Sequence, residues 1–540
     1  MPDTHVVTNQ VPPLVDHNPA SSPVLIEALI REGGQWGLDE ITELGALSGS
    51  AQAQRWGDLA DRNQPILHTH DRYGHRVDEI EYDPAYHELM RAAIGYGLHA
   101  APWADDRRGA HVVRAAKMSV WTPEPGHVCP ISMTYAVVPA LRHNAELAKV
   151  YEPLLTSRVY DPELKVPATK AGITAGMSMT EKQGGSDVRA GTTQAVPNGD
   201  GSYTLTGHKW FTSAAMSDIF LVLAQAPGGL SCFMLPRILP DGSRNRMFLQ
   251  RLKDKLGNHA NASSEVEYDG ATAWLVGEEG RGVPTIIEMV HHTRLDCIIA
   301  PAAFMRQATA NAHWHAAHRT AFQKKLIDQP LMRQVLADLA IESEAATQLA
   351  FRIAKSFDDS AKNPGAAAFS RIATPVGKYW LNKRVPNLVY EAMEAHGGAG
   401  YVEESVMPRL FRQSPLNSIW EGSGNVICLD VLRAMTREPD AVPAFLDEIE
   451  RARGENATLD AEIDALRDSL VQMPPESEAR RLVERMAIVL QASILVRHAP
   501  AFVADAFCAT RLSSRPGYAY GALGANIDTA RLLERAMPTT

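Results

Sequence analysis

The chain has 540 residues, of which 45% are apolar and 21% are charged, and its formal net charge is -10. The length predicts several domains, and the composition is that of an ordinary globular protein. The negative charge excludes nonspecific nucleic-acid binding by the whole surface, but it leaves a local basic patch open.

Cysteine usage and the first residues bear on location. The five cysteines are scattered and form no C-x-x-C pair. Their odd number argues against a disulfide framework and fits a reducing cytoplasm. The first residues show no basic segment followed by an apolar core, so we expect no signal peptide. The apolar runs are too short for a membrane span, and we expect a cytoplasmic protein.

The first part of the chain is predicted to be helical. Residues 1–23 are rich in Pro, Asn, Asp and Ser, which is typical of an extended arm. From about Pro23 to Ser157, apolar residues recur at helical spacing. We therefore predict an N-terminal helical domain with an extended arm over residues 1–172.

A middle β domain is predicted over residues 173–276. Short β-rich runs begin at Tyr203, Ile219, Leu230 and Glu265, and turns rich in Pro and Gly separate them. This spacing predicts a small antiparallel barrel or sandwich.

Helical periodicity returns at about Val283. Four long segments are predicted, at 283–318, 328–357, 365–396 and 424–435, and they form a helical bundle domain over 277–437. Residues 438–540 are predicted to form an additional C-terminal helical domain, with breaks at Pro439, Pro474-Pro475 and Pro516-Gly517. The fold class is therefore multidomain α+β.

The stretch Met177–Val188 combines hydroxyls, acids and two adjacent glycines. Paired glycines let backbone N–H groups approach a planar or phosphorylated ligand, and successive N–H groups form an anion-binding concavity. The spacing matches neither G-x-G-x-x-G nor the P-loop motif. Taken alone, the stretch fits an ordinary polar turn equally well.

Two further motifs follow, at Gly207–Ser213 and Asn417–Asn425. Together, the three motifs resemble the acyl-CoA dehydrogenase family of flavoproteins and, more narrowly, its AidB-type alkylation-response proteins. The resemblance extends over essentially the whole chain. It implies the helical, β and helical-bundle arrangement predicted above, with the last segment as an addition, and it implies FAD as the cofactor.

The resemblance also implies the residues that hold the flavin. Thr180 and Ser186 would hydrogen-bond the ring and phosphate, and Phe211-Thr212-Ser213 would lie against the isoalloxazine. The implied FAD-binding residues are Met177, Met179, Thr180, Gly184, Gly185, Ser186, Phe211, Thr212, Ser213, Arg319, Phe322, Gln329, Gly397, Gly398, Ile419, Trp420, Gly422, Gly424 and Asn425.

Part of this set is implied to act across subunits. The segment from Arg319 to Gln329 resembles the one that reaches a neighbouring subunit's flavin, which implies a homo-oligomer, usually a tetramer built as a dimer of dimers. The family usually has Gly where this chain has Gln323, and Gln where it has Glu394. A carboxylate near a pyrophosphate is repelled unless it is protonated or paired.

The chemistry implied by the resemblance needs a base. A proton leaves the α-carbon of an acyl-CoA thioester while a hydride leaves the β-carbon for flavin N5, which requires a carboxylate in a dry cavity. Glu421 is the implied base, and the alternative is that it caps or salt-bridges the following helix. The family's other base position falls here at Thr293, next to Arg294. Arg294 is implied to contact the substrate, and pairing with Asp296 or another carboxylate is equally supported.

Two groups of basic side chains invite other functions. His313, His315 and His318 do not share one helix face, so we expect no metal site.

The AidB-type relatives are associated with binding duplex DNA through the extra C-terminal domain, which requires clustered Lys or Arg. Residues 441–540 contain eleven arginines, no lysine and fourteen acids. From Ala479 on, the count is eight arginines and four acids. The candidate DNA-binding arginines are Arg433, Arg480, Arg481 and Arg485, with Arg497, Arg511 and Arg515 on the same face.

A solvated surface that packs a subunit interface is an equal alternative for these arginines.

Three hypotheses for the whole chain remain. The first is an FAD-binding AidB-type protein with weak acyl-CoA dehydrogenase chemistry and a DNA- or damage-related role. The second is an ordinary metabolic acyl-CoA dehydrogenase, and the third is a flavin-bearing scaffold without catalysis.

Overall fold

The structure is a computed structural model that describes residues 4–471, 474–513 and 517–539. Arg515 and the predicted break at Pro516 lie outside the described residues. In the described part, no helix is long and apolar enough to cross a membrane. The chain forms two compact units, which are described separately below. Unit 1 comprises Met1–Ala51, Arg108–Thr122 and Cys297–Thr540, and unit 2 comprises Gln52–Arg107 and Pro123–Asp296.

Helices make up most of unit 1 and the start of unit 2. In chain order they are α1 Pro23–Arg31, α2 Leu38–Gly49, α3 Ala51–Arg62, α4 Pro84–Gly95, α5 Ala101–Ala104, α6 Ala110–Val120, α7 Val128–Leu141, α8 Ala145–Leu155, α9 Gly282–His318, α10 Pro330–Ser360, α11 Pro364–Ala395, α12 Val406–Gln413, α13 Gly424–Arg437, α14 Ala441–Glu450, α15 Ala457–Val471, α16 Ala479–His498, α17 Ala501–Arg511 and α18 Thr529–Ala536.

The strands lie mainly in unit 2. They are β1 Ile66–His70, β2 Arg76–Glu81, β3 Ala175–Ser178, β4 Gln194–Pro197, β5 Ser202–Thr212, β6 Ile219–Ala226, β7 Gly229–Pro236, β8 Met247–Leu252, β9 Ser264–Val276, β10 Thr320–Ala321 and β11 Lys324–Lys325. Together, the helices and strands confirm the multidomain α+β class. The four-domain division by residue number stays a prediction.

The β domain closes on itself. The strand order is β3-β6-β4-β5-β9-β7, and β6 also pairs with β7, so five strands form a ring, which is the barrel of the two predicted alternatives, barrel and sandwich. Most strand pairs are antiparallel, as predicted, but β3 and β4 both pair with β6 in parallel. Each of these pairs joins strands that other segments separate in the chain, which allows the parallel direction.

One part of the region predicted as helical is a β-hairpin. Strands β1 and β2 pair between Ile66 and Glu81, and the Asp71 carboxylate accepts the backbone N–H groups of Tyr73 and His75 at the turn. Ile80 is buried against the core of the β domain. The helical prediction was therefore wrong for this hairpin.

The long helices of unit 1 begin where the sequence signals a start. Helix α10 follows Gln329 with Pro330 in its first turn. Helix α11 begins with Pro364, and the Asn363 side chain accepts the first free N–H groups. Both signals are typical of helix N-termini. The four predicted long segments correspond to α9, α10, α11 and α13, whereas the short α12 was missed.

Buried ion pairs attach the last helices to the bundle. Glu342 of α10 accepts from Arg384 of α11 at 3.0 Å and from Arg511 of α17 at 3.1 Å. Glu448 of α14 accepts from Arg352 at 2.6 Å and from Arg497 of α16 at 2.7 Å. Burial alone would raise the pKa of each carboxyl, but the arginines outweigh it and hold each pKa at about 2.

Candidate functional site

The implied site residues are divided between the two units. In unit 2, the loop that follows β3 is organised by the Glu181 carboxylate. It accepts the N–H groups of Thr192 at 2.7 Å and Thr193 at 3.1 Å, and both threonine hydroxyls. It also pairs with the Lys209 ammonium at 2.9 Å, and the side chains of the pair are each 1% exposed. Glu181 therefore holds the loop and is not open to a ligand.

The electrostatics of Glu181 agree with this structural role. Burial alone would raise its pKa, but the Thr192 N–H group and the Lys209 charge outweigh burial and hold the pKa well below its usual range. Sequence reasoning missed this pair, because the buried residues of β5, which are Ser202, Leu205, Lys209 and Thr212, do not follow a strict alternation.

The glycines of the loop are required by its geometry. A Cβ atom on Gly185 would lie 2.5 Å from the Thr180 Oγ1, and Gly184 has a φ of +141° that L side chains rarely adopt. The Trp210 N–H group donates to the Thr180 carbonyl at 2.8 Å and fixes the loop against β5. The turn after β3 is therefore tightly constrained.

The same loop presents hydrogen-bonding groups. Among the described residues, nothing hydrogen-bonds the hydroxyls of Thr180 and Ser186 or the backbone N–H groups of Gly185 and Ser186. Ser186 is exposed and Thr180 is half-buried. Hydroxyl and N–H donors of this kind suit the oxygens of a flavin ring or a phosphate. The residues present therefore fit FAD.

Strand β5 presents an aromatic ring beside the loop. Phe211 is 50% exposed, and the Lys253 Nζ lies 4.7 Å from its ring centroid. The next side chain, Thr212, is buried, and its hydroxyl bonds Ser178 inside the barrel. Neighbouring side chains alternate along a strand, so the Thr212 side chain points away from the Phe211 side, and the contact of Thr212 with FAD stays a prediction. Ser213 is half-buried, with its Oγ 3.5 Å from that of Ser263.

Other implied residues of unit 2 are more enclosed. Met177 and Met179 are partly buried against the core that α7 and the β domain share. Arg294 and Asp296 are both buried on α9. Contact of Arg294 with a substrate, or its pairing with a carboxylate, stays a prediction.

In unit 1, the loop before α13 presents Glu421 from a left-handed bend. Glu421 has a φ of 57° and Gly422 a φ of 101°. The buried Lys378 ammonium donates to the carbonyl of Trp420 at 3.0 Å and to that of Gly422 at 2.7 Å. The Trp420 indole N–H group donates to the Asn417 Oδ1 at 2.6 Å. These contacts fix the bend from both sides.

The helix-capping alternative for Glu421 is not observed. Ser423 occupies the N-cap of α13, and the first turn of this helix contains no acid. Ile419, two residues before Glu421, is 65% exposed. Glu421 itself is half-buried. Glu421 thus lies in the loop before the N-cap, and the other alternative, a salt bridge to the helix, stays a prediction.

The start of α13 meets the added C-terminal helices. The Arg480 Nε of α16 donates to the Asn425 Oδ1 at 2.8 Å. A Cβ atom on Gly424 would lie 3.1 Å from the Lys383 Cε and 3.4 Å from the Arg480 Nη2. Arg480, implied for DNA, and Asn425, implied for FAD, therefore contact each other.

The implied cross-subunit segment is a short hairpin of β10 and β11. At its tip, Phe322 and Gln323 have φ angles of 49° and 62°, and Phe322 is 93% exposed. The Asn9 side chain bridges to the Thr320 backbone, with 2.8 Å to both its carbonyl and its N–H group. Arg319 donates to the Asn9 carbonyl. The N-terminal arm thus holds the base of the hairpin.

The neighbouring features of unit 1 are arranged as follows. Gln329 donates to the Ala321 carbonyl at 3.0 Å. Gly397, with a φ of 61°, and Gly398 have open space where a Cβ atom would lie. The His313 Nδ1 lies 2.9 Å from the Thr309 carbonyl. Within the described ranges, no group of three His, Cys, Asp or Glu could hold a metal ion.

Most of the candidate DNA-binding arginines lie beside carboxylates. Arg497 and Arg511 are held in the buried pairs described above, so they do not form an open basic face. Arg485 lies 3.1 Å from Glu462, and Arg433 lies 3.6 Å from Asp430. Arg480 and Arg481 are exposed at the start of α16.

Family comparisons cover most of the chain. The adaptive response protein AidB N-terminal domain matches residues 9–162. The acyl-CoA dehydrogenase middle domain matches residues 176–271, and the acyl-CoA dehydrogenase C-terminal domain matches residues 280–436.

Relatives and solved structures agree. The chain is 43% identical over 519 residues to the putative acyl-CoA dehydrogenase AidB of Escherichia coli (strain K12), with 95% of each chain covered. It is 30% identical over 487 residues to acyl-CoA dehydrogenase family member 11 of Caenorhabditis elegans, with 83% of this chain and 78% of the relative covered. The structure of C. elegans ACDH-11 in complex with C11-CoA superposes with a TM-score of 0.84 at 26% identity, covering 99% of this chain and 93% of the other. The chain therefore belongs to the acyl-CoA dehydrogenase family of FAD-dependent oxidoreductases that act on CH–CH groups, as a member of AidB type.

Proposed function

We propose that this protein binds FAD and oxidises acyl-CoA thioesters at a low rate, with Glu421 as the base. The observation that carries the proposal is the left-handed bend at Glu421, a non-glycine residue whose φ is 57°. Residues in such conformations persist only where the surrounding structure holds them, and they cluster at active sites. Lys378 provides that support through two backbone carbonyls.

The loop after β3 supports the cofactor part of the proposal. Thr180 and Ser186 offer hydroxyls, Gly185 offers an N–H group, and Phe211 offers an exposed ring for stacking. Bound FAD would supply the acceptor for the hydride that leaves the β-carbon. Glu421 takes the proton from the α-carbon of the thioester.

Anaerobic titration of the flavin with acyl-CoA thioesters tests this function. The panel includes short and branched chains and C11-CoA, which the C. elegans relative binds. We expect slow bleaching of the flavin spectrum by at least one thioester, and we expect Glu421→Gln to slow it by about 100-fold or more with flavin content unchanged. Glu455→Gln, which changes an exposed acid in the loop between α14 and α15, is the control. Wild-type bleaching rates in Glu421→Gln would exclude this base.

The proposal includes a homotetramer in the cytoplasm. The hairpin tip supports assembly, because the Phe322 ring is 93% exposed on a turn with positive φ angles and is open to contact by a neighbouring subunit. Light scattering of Phe322→Ser should show a smaller assembly than the wild type. An unchanged mass would show that the Phe322 ring is not part of the subunit contact.

Duplex DNA binding in the response to alkylation damage is the second candidate function. It is supported by the exposed Arg480 and Arg481 and by the adaptive-response domain matched at the N-terminus. Gel retardation of duplex DNA should show salt-dependent binding that Arg481→Glu weakens. Arg72→Glu makes the same charge change at an exposed site of unit 2 and is the control. An equal loss of DNA binding in both variants would show that only the net charge matters. If neither flavin bleaching nor DNA retardation is observed, the hypothesis of a flavin-bearing scaffold is the one that remains.

A further inference from the structure

The backbone at Glu421 is held in a conformation that glutamate rarely adopts. Glu421 and Gly422 have consecutive positive φ angles, of 57° and 101°. Glycine accepts this region without strain, but a residue with a Cβ atom does not. Neighbouring atoms must therefore stabilise the bend.

Lys378 contacts the bend on both sides of Glu421. Its Nζ lies 3.0 Å from the Trp420 carbonyl oxygen and 2.7 Å from the Gly422 carbonyl oxygen. The first carbonyl belongs to the peptide plane that enters Glu421, and the second belongs to the plane that leaves Gly422. One ammonium thus orients the two planes that enclose the strained pair, and hydrogen bonds to a charged donor are stronger than neutral ones.

The Lys378 side chain starts from a well-packed part of helix α11. It extends from α11, and only 1% of the residue is exposed. One turn later, the Asn382 side chain donates to the Lys378 carbonyl at 2.7 Å and to the Cys297 carbonyl at 2.7 Å, which joins α11 to α9. The ammonium therefore acts from a rigid part of the bundle and not from a mobile surface side chain.

We infer that Lys378 is a positioning residue for Glu421, because its ammonium holds the bend from which the carboxylate is presented to the substrate. The inference rests on the proposed role of Glu421 as the base. A base must lie within hydrogen-bond reach of the proton that it removes. A displacement of about 1 Å is enough to slow such a step by about 100-fold.

The test compares Lys378→Met, which keeps most of the stem but removes the ammonium, with Lys378→Arg, which restores a cation. In Lys378→Met, we expect the rate of flavin reduction by acyl-CoA to fall by about 100-fold. We expect the acyl-CoA concentration at half-maximal rate and the flavin content to change less than about twofold, since uniform binding is kept. Lys378→Arg should recover part of the rate. Lys355→Met, at a buried lysine of α10 that pairs with Asp359, is the control and should keep the wild-type rate.

A second readout does not depend on activity. Hydrogen–deuterium exchange of the peptide spanning 419–424 should be faster in Lys378→Met than in the wild type, with little change in the other bundle helices. If Lys378→Met does not fold, Lys378→Gln is measured in the same two ways. Wild-type exchange together with a wild-type reduction rate would overturn the inference.

The same experiment separates the two proposals. If no acyl-CoA reduces the wild-type flavin, or if Glu421→Gln reacts normally, the proposed function fails. The exchange measurement still reports whether Lys378 holds the bend. If Glu421→Gln is inactive and Lys378→Met is fully active, only the positioning role is refuted.

Discussion

Replacing Glu181 by Gln should strongly destabilise unit 2. The carboxylate accepts two N–H groups, two hydroxyls and the Lys209 ammonium. A glutamine side chain offers one oxygen to these donors and turns its own NH2 group toward the others. It also leaves the Lys209 charge, which is 1% exposed, without its partner.

The size of the effect follows from the burial. Breaking a buried pair by removing one partner costs about 3–5 kcal/mol of unfolding free energy. Lys209→Met should cost about the same for the mirrored reason, because it leaves the Glu181 charge behind. The double variant removes both charges, so its loss should be smaller than the sum of the two single losses by at least about 2 kcal/mol.

Urea unfolding followed by circular dichroism measures these losses in the wild type, the two single variants and the double variant. Glu79→Gln removes an exposed carboxylate of unit 2 that pairs with Arg244 at 2.7 Å, and it should cost less than about 1 kcal/mol. The reasoning is refuted if Glu181→Gln costs no more than Glu79→Gln, or if the losses of the single variants simply add.

Three further outcomes are expected. Glu342 and Glu448 have depressed pKa values of about 2, so the stability that they give the folded chain is present above their ordinary pKa of about 4.3 and is lost as the pH falls toward 2. Proteolysis of the last helices should therefore accelerate as the pH falls through this window. The Glu342→Gln variant should already show faster proteolysis at pH 7. Gln323→Gly should stabilise the hairpin by about 1 kcal/mol, because glycine adopts the φ of 62° without strain; hydrogen exchange at 319–326 should slow, and faster exchange would contradict the strain argument. Gly185→Ala should weaken FAD binding by about tenfold or more, because its Cβ would lie 2.5 Å from the Thr180 Oγ1; fluorescence titration with FAD measures this, and wild-type affinity would show that the loop yields.

The sequence predicted the long helices of unit 1 within a few residues, because their signals are local. Apolar periodicity runs along each helix, and Pro330 and Pro364 mark two of the starts. The hairpin of β1 and β2 was missed because its strands are short and carry His and Glu at exposed positions and Asp78 at a buried one. Such composition gives no clear apolar alternation.

The pairs that hold the loop after β3 and the last helices could not be predicted, because they join distant positions. Glu181 and Lys209 are separated by 28 residues, and Arg511 and Asp338 by 173. A count of charges along the last segment does not show which arginines face inward toward carboxylates. Lys378 gave no signal, since its acceptors are backbone carbonyls 42 and 44 residues away.

Helix α10 carries buried acids that pair with cations of the last helices as well as with one of the bundle. Asp338, Glu342 and Glu344 are all buried there, and Arg511 and Arg535 supply cations from α17 and α18. A chain shortened after α13 would take Arg511 from Asp338 and Glu342 and Arg535 from Glu344, while Glu342 would keep Arg384. Homologues without this tail should therefore carry neutral or apolar side chains at these three positions of α10.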